Sequence, residues 1–129
     1  MGQREGSVLI VSTDLEILRA LSHALTLSGY AVTAATDWSE ILARPRPVPV
    51  SVLLYDLKDL DWHEWDRLEE FRRAHPDLSV VLLSSLESPE LDRACSEGLI
   101  AGYQVKPIRL TSLETCLDRV GAVGRRATA

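Results

Sequence analysis

Cysteine is almost absent from this chain. Cys95 and Cys116 are the whole complement and stand in no CxxC spacing, so neither a disulfide framework nor a zinc site is expected and both thiols read as reduced and at least partly buried. No apolar run approaches the length of a membrane span. The stretch Met1 to Ser7 is polar and lacks the apolar core of a signal peptide, and its Met-Gly start has no Ser or Thr at position 6 for a myristoylation match. The protein is therefore expected to have no membrane partner and to stay cytoplasmic. A basic stripe is missing too: 14 Lys and Arg against 19 Asp and Glu leave a net charge of −5, and the cations are scattered, which argues against nucleic acid as a direct partner. What is present, 129 residues of which 46% are apolar and 26% charged, has the size and balance of one globular domain with its own core.

Two kinds of segment alternate along it. Short β-branched or Leu-rich runs, Val8 to Val11, Ala31 to Ala34, Val52 to Tyr55, Val80 to Leu83 and Gly102 to Val105, have the near-continuous apolar character of strands buried on both faces of a parallel sheet. Between the first two, Ile17, Leu18, Leu21, Ala24, Leu25 and Ser28 recur at three- and four-residue steps before Gly29, which predicts an amphipathic helix over Leu15 to Ser28. Thr13 followed by Glu16 fits a capping box at its start. A short second helix, about Trp38 to Ala43, is expected to run into Arg44-Pro45-Arg46-Pro47-Val48-Pro49, a stiff extended connection.

The third helix should span Trp62 to Ala74, with Trp65, Leu68 and Phe71 inward and Glu69 paired with Arg73. Pro89 to Glu97, with proline at its entry, and Leu110 to Val120 complete five helices. The expected organisation is an N-terminal extension over 1–7, a domain over 8–120 and a flexible tail over 121–129. Strands alternating with helices of this length imply right-handed crossovers and an α/β, doubly wound, five-stranded parallel sheet.

In such sheets the chemistry gathers at the carboxyl ends of the strands. Those ends carry Ser12-Thr13-Asp14, Asp56, Ser84-Ser85 and Lys106-Pro107. An aspartate oxygen is a workable phosphoryl acceptor, and an ammonium and a hydroxyl can stabilise charge on the transferred oxygens.

The order and spacing of Val8-Leu9-Ile10-Val11, Leu53-Leu54-Tyr55-Asp56-Leu57, Val80-Val81-Leu82-Leu83-Ser84-Ser85 and Gly102-Tyr103-Gln104-Val105-Lys106-Pro107 resemble the receiver domain of two-component response regulators. The resemblance implies a flavodoxin-like strand order 2-1-3-4-5 and a role in phosphorelay signal transduction rather than as an enzyme. It makes Asp56 the phosphoacceptor, Lys106 the lysine that contacts the phosphoryl group, Ser84 the switch hydroxyl and Tyr103 the switch aromatic. Implied partners are a histidine kinase or phosphotransfer protein upstream. Downstream, a protein or a second copy would dock through the face of the fourth helix, fifth strand and fifth helix.

The sequence departs from the family at the acidic pair after the first strand, which normally helps hold Mg2+. Ser12 and Thr13 occupy those positions, and Asp14 stands one residue too far. Two neutral hydroxyls in place of carboxylates predict Mg2+ binding that is weak at best. Lys58, two residues after Asp56, joins Asp14 as a modulator of the site.

Two readings of the rim follow: a receiver that takes a phosphoryl group on Asp56 with weakened metal dependence, and a phosphorylation-independent pseudo-receiver that acts as a docking module. A haloacid-dehalogenase-like phosphatase would want an aspartate where Lys58 stands. A flavodoxin-type flavin binder would want a glycine-rich phosphate loop, and Ser12 to Ile17 holds no glycine.

Overall fold

The computed structural model describes residues 7–37, 40, 51–57, 62–76 and 78–128, and in it the apolar runs become strands within a residue of their expected limits. These are β1 (Ser7–Val11), β2 (Ala31–Ala35), β3 (Val52–Asp56), β4 (Ser79–Ser84) and β5 (Gly102–Val105). All four pairings are parallel, in the order β2-β1-β3-β4-β5. With β3 flanked on both sides and covered on both faces, every one of its five residues is buried, which is why it reads as an unbroken apolar run.

Among the described residues the strands alternate with four helices, α1 (Leu15–Leu27), α2 (Trp62–Ala74), α3 (Pro89–Ser96) and α4 (Leu110–Thr128). Period-two alternation sorts the core into two layers. Leu9, Leu53, Tyr55, Val80 and Leu82 meet Leu68 and Phe71 of α2 and Leu91 of α3. On the opposite face Val8, Ile10, Leu54, Val81 and Leu83 meet Leu18, Leu21 and Leu25 of α1 and Leu113 and Leu117 of α4. Taking one such side chain out of water contributes about 1.5–3 kcal/mol, so the sheet and its two covers hold each other in place. In α2 the outward Glu69–Arg73 pair, at 3.7 Å, is the exposed kind that contributes little.

Three expectations need comment. The short helix at about 38–43 and the proline-rich segment 44–49 lie outside the described residues, except for Glu40, so four helices are described where five were expected. Glu40 Oε2 accepts from the Thr36 N–H at 2.9 Å and the Thr36 hydroxyl at 2.8 Å, while its own N–H donates to Asp37 Oδ1 at 3.0 Å.

Next, the cap of α1 is Asp14 rather than Thr13. Its Oδ1 accepts from the N–H groups of Glu16 at 3.0 Å and Ile17 at 3.3 Å. The Ser12 N–H still donates to Ala35 O at 3.1 Å, so the chain leaves the sheet one residue later than a Thr13 cap requires. Finally, α4 continues past Val120 to Thr128. Gly121 and Gly124 each cost a helix only about 1 kcal/mol, and Ala122, Arg125, Arg126 and Ala127 between and beyond them are strong helix formers. Among the described residues no helix is long and apolar enough to cross a membrane.

Candidate functional site

Strand register builds the rim. Val11 pairs with Tyr55, so Ser12 comes to lie beside Asp56. Asp56 pairs with Leu83 and Ser84 with Val105, the last residue of β5, so Lys106 stands just beyond the end of β4. The Lys106 N–H donates to Ser84 O at 2.8 Å, and the Leu57 N–H to Leu83 O at 2.9 Å, which fixes the chain on either side of the carboxylate.

Asp56 is buried, its side chain only 1% exposed. Its two oxygens have different partners. Lys106 Nζ stands 2.5 Å from Oδ1 in an ion pair, and the Ser12 hydroxyl donates to Oδ2 at 2.7 Å. Ser12 is itself buried and accepts the Asp14 N–H at 3.0 Å. A buried carboxylate so held has the ammonium's charge opposite Oδ1, which accepts no hydrogen bond among the described residues, and a hydroxyl donor on Oδ2, and it needs such partners in a low-dielectric setting.

The other expected site residues lie apart from this group. Ser84 has the strand parity of Val80 and Leu82, whereas Asp56 has that of Leu54, on the opposite face of the sheet. The Ser84 hydroxyl turns into its own loop, donating to Leu86 O at 2.7 Å and accepting the Leu86 N–H at 3.2 Å. The Tyr103 ring packs on the core layer shared with α3, and its hydroxyl points outward to donate to Asp92 Oδ1 at 2.7 Å. Thr13 is exposed, Asp14 is committed to capping α1, and Lys58 lies outside the described residues.

Sequence reasoning missed two of these contacts. Ser12 read as a lost metal ligand rather than as a partner of Asp56, and Asp92 was not singled out. The first was signalled by the register of two neighbouring buried strands. The second had no signal, because it depends on where α3 sits over β5.

The hydrogen bond to Asp92 is the main cause, with lesser burial and acidic neighbours, of a Tyr103 hydroxyl pushed from 10.0 up to about 12. Since the folded phenol holds its proton more tightly than the unfolded one, this tie supports the fold fully below about pH 10 and is lost as pH rises through about 12. In a spectrophotometric titration, Asp92→Asn should move one tyrosine step down towards the ordinary value. Superimposable curves for variant and wild type would show that the tie is absent in solution.

Magnesium takes hard oxygen ligands in octahedral geometry, usually with one or two carboxylates. Among the described residues this rim offers Asp56 as its carboxylate, with an ammonium at one oxygen and a hydroxyl proton on the other, and those residues contain no group of three or more His, Cys, Asp or Glu side chains placed to hold a metal. The donor set does not fit the ion.

No family model matches the chain. Over 123 residues it is 32% identical to a protein described as probable transcriptional regulatory protein TcrX of Mycobacterium tuberculosis, a match that covers 93% of this chain and 50% of that protein. It is 27% identical over 119 residues to response regulator RR06 of Streptococcus pneumoniae, covering 92% of this chain and 53% of the relative. Among solved structures, chemotaxis protein CheY4 of Vibrio cholerae superposes with a TM-score of 0.77 at 25% identity, covering 91% of this chain and 99% of the other. The chain thus spans about half the length of these curated relatives. The expectation of no direct nucleic-acid partner is not supported, because the first of these relatives is described as a probable transcriptional regulatory protein.

Proposed function

From the premise of a receiver-type domain, supported by response-regulator relatives and by the parallel 2-1-3-4-5 sheet, we propose that this chain accepts a phosphoryl group on Asp56 in a two-component phosphorelay, with weakened dependence on metal. The observation that carries the reading is the contact between the Asp56 carboxylate and the Lys106 ammonium at the mouth of the central strand. Phosphoryl transfer asks a protein mainly for positioning and for charge opposite the transferred oxygens. Asp56 supplies the acceptor oxygen. Lys106, 24% exposed on an otherwise buried pair, can follow the incoming group with its ammonium.

The domain then transmits a signal by changing its surface rather than by turning over a substrate. Its proposed partners are a histidine kinase or phosphotransfer protein at the rim, and a downstream protein or a second copy on the face of α3, β5 and α4. Its proposed place is the cytoplasm. Ser84 and Tyr103, both on the α3 side of the sheet, are the proposed switch residues beside that face.

One observation favours the second reading, a docking module that never takes a phosphoryl group. The buried Ser12 hydroxyl occupies Oδ2 of Asp56 and the Lys106 ammonium balances its charge at Oδ1, so the rim is already partnered without a ligand. Incubation with a small-molecule phosphodonor, with and without magnesium, followed by intact mass, separates the two. A single acid-labile phosphoryl adduct, lost in Asp56→Asn, is the expected result. Label on His23, His63 or His75, or no label on folded protein, would end the leading reading.

A further inference from the structure

Ser12 makes three short hydrogen bonds, and its hydroxyl also stands 3.4 Å from a second acceptor, Asp14 O. Its N–H donates to Ala35 O at 3.1 Å, its Oγ accepts the Asp14 N–H at 3.0 Å, and its hydroxyl proton goes to Asp56 Oδ2 at 2.7 Å. With the backbone pinned to β2 and an Oγ lone pair taken by the Asp14 amide, the remaining strong bond the hydroxyl can make is as a donor, and Oδ2 is in its path. The residue is 1% exposed, so water does not compete for that proton. Lys106 differs: it is partly exposed and its ammonium ends a flexible stem.

We infer that Ser12 is a positioning residue that assigns different tasks to the two oxygens of Asp56. The inference rests on Asp56 being the phosphoryl acceptor. Oδ2, bonded at 2.7 Å to a buried donor whose backbone is held to β2, stays in place and becomes the carbonyl oxygen of the acyl phosphate. Oδ1, whose partner can shift, is the nucleophile. In the step itself a bond forms between Oδ1 and the phosphorus of a phosphoramidate, either phosphohistidine or a small donor. The P–N bond breaks, its electron pair leaves on nitrogen, and that nitrogen takes a proton from water. Ser12 keeps its proton throughout, and Lys106 passes from Oδ1 to an oxygen of the phosphoryl group. A fixed hydroxyl thereby orients the acceptor in a rim whose donor set does not fit magnesium.

The test is a saturation series with phosphoramidate, in the presence of a chelator, on wild type, Ser12→Cys and Ser12→Ala, each checked for native circular dichroism. Losing a hydrogen bond to a charged group corresponds to about tenfold or more in rate. The expected result is a maximal labelling rate that falls about tenfold in Ser12→Ala at unchanged half-saturating donor concentration. Ser12→Cys, close in volume but a weak donor, should fall between, and it carries the test alone if the alanine variant does not fold. A purely structural role would lower the folded fraction without changing the rate per folded molecule. Labelling of the folded variants as fast as wild type overturns the inference while leaving Asp56 as acceptor. A folded wild type that takes no label with or without magnesium overturns the reading on which the inference rests.

Discussion

Lys106→Ala should destabilise the domain by about 2 kcal/mol, and Asp56→Asn in the same chain should recover most of that loss. Removing one partner of a buried ion pair typically costs about 3–5 kcal/mol, because the other charge stays buried and uncompensated. Lys106 is 24% exposed, so water can enter where its ammonium stood, which brings the figure towards the lower end. The Ser12 hydroxyl remains on Oδ2 and lowers the cost further. With Asn at position 56 no buried charge exists, so the alanine at 106 then removes little beyond packing.

Urea unfolding reads this directly. The midpoint of Lys106→Ala should fall by about 1 M with unchanged slope, since slopes for domains of this kind run at about 1–3 kcal/mol per M. The double variant should return most of the way, giving a coupling energy between the two residues. A Lys106→Ala domain as stable as wild type would mean that the ammonium is not held at Oδ1 in solution. A loss that Asp56→Asn does not relieve would place the role of Lys106 elsewhere, for instance in packing its stem.

Much of the fold was legible because the buried strands are short, apolar and bounded by polar residues. Val8 to Val11 and Val52 to Tyr55 leave no register in which they could face water, and Gly29, with φ of 98°, ends α1 at the position its sequence suggests. The start of α1 was less determined. Ser12, Thr13 and Asp14 are all capping residue types, and only the bond from Ser12 N–H to Ala35 O, a contact 23 positions along the chain, selects Asp14.

The site divides in the same way. Asp56 and Lys106 were legible because each directly ends or follows a strand, and parallel neighbours bring such positions to one rim. Where the Ser84 and Tyr103 hydroxyls point was not legible. The first is set by a local loop contact two residues on, at Leu86, and the second by the seating of α3, a tertiary outcome. Ser12 shows the limit of comparison by motif. Against a family pattern it is an absent carboxylate, whereas in the sheet it is the fixed donor to Asp56.

Ser12→Asp with Thr13→Asp should convert the rim from weakly to strongly metal-dependent. Position 12 is buried beside Asp56, so the new carboxylate replaces a hydrogen-bond donor with a second negative charge. Without a divalent ion the double variant is therefore expected to be less stable than wild type. Position 13 is exposed and does not cap α1, which Asp14 does, so that substitution carries almost no cost of its own. Magnesium then meets the carboxylates it requires. Ligand that binds only the folded state stabilises it by about 2.7 kcal/mol at a hundredfold excess over its dissociation constant. The melting temperature of the double variant should rise steadily with magnesium and fall back on chelation, while that of wild type barely moves. Labelling by a phosphodonor should accelerate in parallel, because the ion adds charge opposite the incoming phosphoryl oxygens while Asp56 and Lys106 remain in place. An equal magnesium response in wild type would refute the account of Ser12 and Thr13. A double variant that binds magnesium and stays folded yet takes no label would show that the rim has left phosphoryl chemistry and that the docking-module reading holds.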